Sequence, residues 1–508
     1  MSGTLLRTPR SISTLLLRRG PFGLSLQPRS HFSTHPSHWD TFKTCLPELK
    51  ARGLVESVTG PDGAIEKHVA EKPIVVYSGV DATAASLHIG HLLPLMSMLH
   101  FFLNGNHTIS IVGKATASVG DPSGRTRERD ELRQQKLEKQ FKGIWNQLER
   151  FYENGKTYAL KRGYKEENIG TREVITNSDW LDNMGIVEFL GTVGRHVNVR
   201  HMLARDSVRG RMATVSGINF AEFTYQLLQS YDFWHLYNTK GCELQIGGND
   251  QYGNITAGVD LINRLHKIHN PVEKHQEDPE EPEEKSEDNP EKEPPRAFGL
   301  TAPLLTTAKG EKIGKSAGNA IWLDAHLTSP FDLYQYFIRL PDAAVPEYLS
   351  RFTLLPLTKI EELISKHQEA PHERVAHRAL ASEVVELIHG IEALEKAEER
   401  TKTLFSTANS NLLTMSGQEL VGAFGEKVIK LPWDAIMGNT ITHALKTLNI
   451  VPSAAAARKM VRSGGVYMGR EGEKIIDPAQ KIKKLWLLDG NVLLMRVGKK
   501  NYNVVQLE

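Results

Sequence analysis

Only two cysteines, Cys45 and Cys242, occur in 508 residues, which excludes a disulfide framework, and neither has a Cys or His spacing that suggests zinc. Long apolar runs are also missing. The longest, Leu92 to Leu103, contains Ser97 and His100 and falls short of the roughly 20 residues a membrane span requires, so no membrane insertion is expected. Acidic residues and lysine are absent from residues 1–39, which hold five arginines: Arg7, Arg10, Arg18, Arg19 and Arg29. An acid-free Arg, Ser and Leu segment has the composition of a mitochondrial transit peptide and predicts import into the matrix.

The net charge of +2 hides a segregated distribution. Residues 273–296 carry eleven acidic and four basic side chains, and residues 438–508 carry twelve basic and five acidic ones. The acidic stretch, about 271–296, is rich in Pro, Glu and Lys and has no aromatic residue, so it predicts a disordered surface loop. The basic C-terminal stretch predicts contact with RNA phosphates. Its Arg458, Lys459 and Arg462 lie within one helical pattern ahead of Gly464 and Gly465, with Arg458 and Arg462 on one face.

Between these extremes the pattern alternates. Pro73 to Val80 reads as a buried strand, His88 to Asn104 as a helix and Thr108 to Gly113 as a second strand, with further strands at Glu173 to Thr176 and Glu243 to Ile246. Such alternation predicts a Rossmann-type parallel α/β sheet over residues 40–329, with ligands at the carboxyl ends of its strands. Residues 330–432 carry helical spacing, as in Glu373 to Lys402, and predict a helical domain. A small basic α+β module follows over 438–508.

Two motifs carry the chemistry. Tyr77-Ser-Gly-Val-Asp81-Ala-Thr83 runs into His88-Ile-Gly90-His91 where a strand should become a helix. There Gly90 lets an adenine or ribose approach the backbone, while the helix start and two imidazoles stabilise phosphate charge. Roughly 220 residues later, Lys312-Ile-Gly-Lys315-Ser316 sets two lysines three apart on a loop that can close over a leaving pyrophosphate. Three more stretches accompany them: Gly120-Asp121 through Arg125 to Arg129, Tyr225 through Gln229 to Asp232, and Gln245 through Gly248 and Asp250 to Gln251. Tyr225, Gln229 and Asp232 have i, i+4, i+7 spacing and share one helix face.

Together these motifs resemble the class I aminoacyl-tRNA synthetases, and the last three resemble the tyrosyl-tRNA synthetases within that class. The resemblance runs from about Pro73 to the C-terminus. It implies ATP-dependent activation of tyrosine to an adenylate, transfer to tRNA(Tyr), a homodimer, an anticodon-binding role for the helical domain and a connective insertion in the catalytic one. By the same resemblance Asp232 and Tyr77 hold the substrate phenol, and Asp121, Tyr225 and Gln229 its ammonium, with Asn177 nearby. Gly79, Gly248 and Asp250 approach the ribose, Ser78 keeps a polar contact with it, and Asp81 and Gln251 border the amino acid and adenylate. Thr83 and His88 meet the phosphates, His91 supports the helix start, and Ser316 belongs to the nucleotide site. Arg125 and Arg129 join Lys312 and Lys315 around pyrophosphate. Magnesium is expected on the ATP phosphates, with no metal held by the protein. Departures from bacterial members include Lys114 for Gly and Asn249 for Ser. A tryptophanyl-tRNA synthetase and an RNA-binding protein on the same scaffold, such as an intron-splicing factor, are the rival readings.

Overall fold

The computed structural model describes residues 44–123, 134–269, 296–306, 320–405, 415–425, 428–498 and 501–508. The leader 1–39, the acidic stretch up to 295, and Arg125, Arg129, Lys312, Lys315 and Ser316 lie outside them.

The first sheet has the order β1-β6-β5-β2-β3-β4. Its strands are β1 (Ser57–Val58), β2 (Val75–Asp81), β3 (His107–Gly113), β4 (Arg172–Thr176), β5 (Cys242–Gly248) and β6 (Phe298–Ala302). All pairs are parallel except β1 on β6. The chain builds β2, β3 and β4 in one direction and then returns to lay β5 on the other side of β2. That reversal opens a crevice beyond the carboxyl ends of β2 and β5.

The expected strands form at nearly the expected residues, because their apolar runs are buried on both faces, as in β3 and β6. The helix expected from His88 starts differently. Ile89–His91 is a short 3₁₀ turn, and α1 spans Leu92–Leu103. The return helices are α2 (Gln134–Lys161), α3 (Phe220–Lys240) and α4 (Tyr252–His269). Asn219 caps α3 by accepting from the Glu222 N–H, and Gly241, at φ 68°, ends it. Between β4 and α3 lie four short helices, Ser178–Leu181, Ile186–Thr192, Val199–Ala204 and Asp206–Met212.

The helical region comprises α5 (Pro330–Ile338), α6 (Val345–Phe352), α7 (Leu357–Glu369), α8 (Val375–His389) and α9 (Ile391–Phe405). The helical spacing read over 373–402 is divided between two helices, because Gly390 sits at φ 83° between them. This region shares one hydrophobic core with the first sheet. Tyr158 and Arg162 on α2 bind Glu383 on α8, and Arg162 also pairs with Glu386. The helix Leu46–Ala51 is fastened from the other side. Arg52, at its end, donates to the carbonyls of Ser350, Thr353 and Leu355 at 3.0, 2.9 and 2.7 Å.

The second sheet, order β7-β12-β11-β8-β9 with β10 on β11, holds β7 (Ile429–Leu431), β8 (Val466–Met468), β9 (Glu473–Ile475), β10 (Leu487–Leu488), β11 (Val492–Val497) and β12 (Asn501–Leu507). It starts ahead of residue 438, since β7 pairs with β12. The helix α10 (Gly417–Phe424) also packs on it, with Leu420 and Phe424 against Leu494 and Val504. A separate core from Ile436 to Leu507 fills the other face.

Candidate active site

A cleft of about 700 Å³ opens at the strand-order reversal. It is lined by Tyr77, Ser78, Gly79, Asp81, Thr83, His88, Gly90, His91, Asp121, Asn177, Tyr225, Gln229, Asp232, Gly248, Asp250 and Gln251. Residues from five separate sequence stretches thus meet at one place. The three arginines and lysines of the basic module do not join them: Arg458, Lys459 and Arg462 project, exposed, from the helix Ala454–Arg462 beside the second sheet.

The deep end is polar but dry. Asp232 is 5% exposed, and burial pushes its carboxyl up to about 7, against the pull of hydrogen bonds from Asn177 and Trp180. Asn177 Nδ2 donates to Asp232 Oδ2 at 3.0 Å and to Thr116 Oγ1 at 2.9 Å, while Asn177 Oδ1 accepts from the Ala115 N–H. Every hydrogen-bonding atom of that amide is therefore used. Trp180 Nε1 donates to Asp232 Oδ1 at 2.8 Å. Beside this carboxylate, the buried Tyr77 hydroxyl has no partner, and burial, then the charge of Asp232, raise its phenol pKa. An unsatisfied hydroxyl next to a buried carboxylate is a receptor for a group that both donates and accepts, which a phenol does.

Midway along, Asp81 accepts from Tyr225 Oη at 2.9 Å and from Thr116 Oγ1 at 2.7 Å. Gly113 protects this arrangement, because a Cβ there would stand 2.4 Å from both Asp81 Oδ1 and Thr116 Oγ1. Asp121 accepts from Gln251 Nε2 at 2.7 Å and from the Ser123 N–H at 2.9 Å. Asn254 on α4 donates to Gln229 Oε1 at 3.0 Å and to Asp121 Oδ1 at 3.4 Å. Two carboxylates at one level, each steadied by neutral donors, suit a cationic group.

At the mouth, the His88 and His91 rings close a reciprocal cap. His88 Nδ1 accepts from the Gly90 N–H at 3.1 Å, and His91 Nδ1 accepts from the His88 N–H at 3.0 Å. With both Nδ1 atoms occupied as acceptors, each neutral ring carries its proton on Nε2, so both rings are donors through that atom. A Cβ at Gly248 would crowd Asp250 Oδ1 at 2.8 Å. At Gly79 a Cβ would meet only ordinary contacts with Ile111, so the space above it is room for a ligand. The described residues on either side of 307–319 lie here. Leu304 and Leu305 line the cleft, and Ile321 O accepts from the Ile89 N–H at 2.9 Å while the Leu323 N–H donates to Leu87 O at 2.8 Å.

The departures are accommodated. Lys114 forms an ion pair with Glu138, and Asn249 Oδ1 accepts from Thr301 Oγ1 at 3.0 Å, holding β5 to β6. Three contributors were missed in the sequence, Thr116, Trp180 and Asn254, and Gln245, named only as part of a motif, has a buried Oε1 with no partner. Asn254 follows Gln251 by one helical turn on α4 and Trp180 follows Asn177 by three residues, a spacing that offered the only signal.

A model described as class I tRNA synthetases (W and Y) matches residues 69–406. A model of the SYY-like C-terminal domain of tyrosine–tRNA ligases matches residues 430–505. The mitochondrial tyrosine–tRNA ligase of Saccharomyces cerevisiae is 36% identical over 99% of this chain and 98% of its own. That of Schizosaccharomyces pombe is 37% identical over 90% and 98%. A solved structure, a C-terminally truncated mitochondrial tyrosyl-tRNA synthetase from Aspergillus nidulans, superposes with a TM-score of 0.63 at 35% identity, covering 72% of this chain and 98% of that one. Its counterpart from Coccidioides posadasii gives 0.61 at 37% identity, covering 70% and 91%.

Proposed function

This chain belongs to the tyrosine–tRNA ligases of class I, and from that we propose how its cleft performs the reaction. The enzyme binds tyrosine, ATP and tRNA, forms tyrosyl adenylate and passes the tyrosyl group to the terminal ribose of tRNA(Tyr) in mitochondrial translation. The observation that carries the assignment of its cleft is the buried Asp232 carboxylate beside the unpartnered Tyr77 hydroxyl. Tyrosine enters phenol first, accepting from Tyr77 and donating to Asp232. Its ammonium lies among Asp121, Tyr225 and Gln229. Asp81 and Gln251 border the amino acid and the nascent adenylate.

The nucleophile is already an anion, so the first step needs no general base. Catalysis rests on positioning and on stabilising phosphate charge. The ribose sits against Ser78, Gly79, Gly248 and Asp250, and Gly90 leaves room for the nucleotide backbone. Thr83 and the Nε2–H of His88 meet the phosphates. Lys312 and Lys315, with Arg125 and Arg129, gather around pyrophosphate, and Ser316 completes the nucleotide site. Asp81, Asp121 and Asp232 are engaged by side-chain donors rather than grouped as a cage, which fits a magnesium ion brought in by the ATP phosphates and completed by water. Pyrophosphate exchange into ATP that depends on tyrosine and not on tryptophan tests the reading. Equal exchange with tryptophan would overturn it.

Arg458, Lys459 and Arg462 make no ion pair among the described residues, and we assign them to tRNA phosphates. Residues 1–39 are assigned to import into the matrix. Fused to a reporter they are expected to carry it there, and a cytosolic reporter would refute the assignment. The homodimer rests on the short helices between β4 and α3 together with the start of α3, where Ile186, Val187, Leu190, Val199 and Phe220 are exposed. Apolar groups crowded on one surface mark an interface. Sedimentation of the wild type is expected to give the mass of two chains, and Val187→Asp with Phe220→Asp that of one. A monomeric wild type would exclude it.

A further inference from the structure

Away from the cleft, the helical region brings three ligand-type side chains together from three segments. Asp342 lies in the turn after α5, His367 in the last turn of α7 and His377 in the first turn of α8. One donor atom from each lies within 4.8 Å of the other two. Among the described residues, no other group of three His, Cys, Asp or Glu meets that test. We infer that Asp342, His367 and His377 form a zinc site that clips the ends of α7 and α8 to the turn after α5.

Core histidines normally find hydrogen-bond partners. Here His367 is 6% exposed and His377 fully buried, yet both ring nitrogens of His367 and Nδ1 of His377 have none. His100 is equally orphaned, but it belongs to no such group of ligands. The spacing around Asp342 matches two edges of a tetrahedral ligand set. Its Oδ1 lies 3.4 Å from His367 Nε2 and 3.3 Å from His377 Nε2. Zinc bonds of about 2.0–2.1 Å to nitrogen and oxygen place tetrahedral ligands about 3.3 Å apart.

A neutral imidazole is the form that binds metal. His377 Nε2 also stands 3.0 Å from Leu340 O. Without metal that nitrogen donates its proton to the carbonyl. Coordination takes the Nδ1–H tautomer of the ring and replaces that hydrogen bond with a bond to the metal. Arg374, a neighbouring cation, donates to Ile338 O. Asp342 is 59% exposed, so the fourth position opens to solvent and takes water. The ligand set of two imidazoles and one carboxylate suits Zn(II) rather than magnesium or calcium, which prefer oxygen.

The test uses the full-length chain, stripped with a chelator and dialysed against micromolar zinc chloride. One zinc per chain is expected, with a rise in melting temperature. Asp342→Asn, His367→Leu and His377→Gln are each expected to weaken binding by at least about tenfold, the lower end of what even a supporting residue costs a metal site. None should alter tyrosine-dependent pyrophosphate exchange. Cobalt(II) substituted for zinc is expected to give the visible absorption of a four-coordinate ion, and to lose it in Asp342→Asn. A wild type that binds no zinc, or variants that retain as much as the wild type, would overturn the site. If His377→Gln fails to fold, the exposed Asp342→Asn decides alone.

Discussion

Asp232→Ala is expected to lower kcat/KM for tyrosine by roughly 10²-fold while leaving that for phenylalanine nearly unchanged, so that discrimination between them falls by the same factor. The magnitude follows from losing a hydrogen bond to a buried charged group. Phenylalanine has no hydroxyl to leave behind, so it loses nothing when the acceptor goes. In the wild type the phenol of tyrosine partners the Tyr77 hydroxyl and gives Asp232, already held by Asn177 and Trp180, a further donor, a gain phenylalanine cannot make. Tyr77→Phe removes a neutral partner and is expected to cost only about tenfold. Pyrophosphate exchange with both amino acids gives the two ratios. A Tyr/Phe preference unmoved by Asp232→Ala would mean that the phenol is read elsewhere.

Removing residues 415–508 is expected to leave tyrosine-dependent exchange within about twofold and to cut tRNA charging on the order of 10²-fold, as loss of several charged contacts with RNA phosphates would. The point of truncation matters. A cut at 438 would strand β7 without β12 and strip Leu420 and Phe424 of α10 of their cover, leaving an apolar surface that confounds the measurement. A cut before Met415 removes the second sheet with both of its cores. The cleft keeps every residue assigned to it. Equal losses in activation and charging would show that the basic module supports the catalytic region rather than tRNA.

What could be read in the sequence depended on how local its cause was. Tyr225, Gln229 and Asp232 announced a shared face because one helix sets their spacing, and all three line the cleft. The parallel sheet showed itself through apolar runs in β2, β3 and β5, whereas the two-residue β1, antiparallel on β6, left no pattern to find. Gly390 was present in the sequence, but only its positive-φ backbone shows that it divides the helical spacing there into α8 and α9. Trp180, the second donor to Asp232, lies on a four-residue helix too short to carry a period. The Asp342, His367 and His377 grouping depends wholly on how the helices between them pack, and no spacing in the chain could foretell it.

Arg52 sets an order of events on the chain's own assembly. The carbonyls it grips first appear 298 residues later, and β1 likewise waits for β6. On a ribosome adding about 5–20 residues per second, the start of the folded region must idle for roughly 15 to 60 s before its fastening exists. A polypeptide threaded N-terminus first through a narrow pore meets the same delay, because the leading helix cannot lock until residues 350–355 have followed it. Until then Arg52 cannot fasten that helix, so the contact that closes the finished molecule is also among the last to form during delivery.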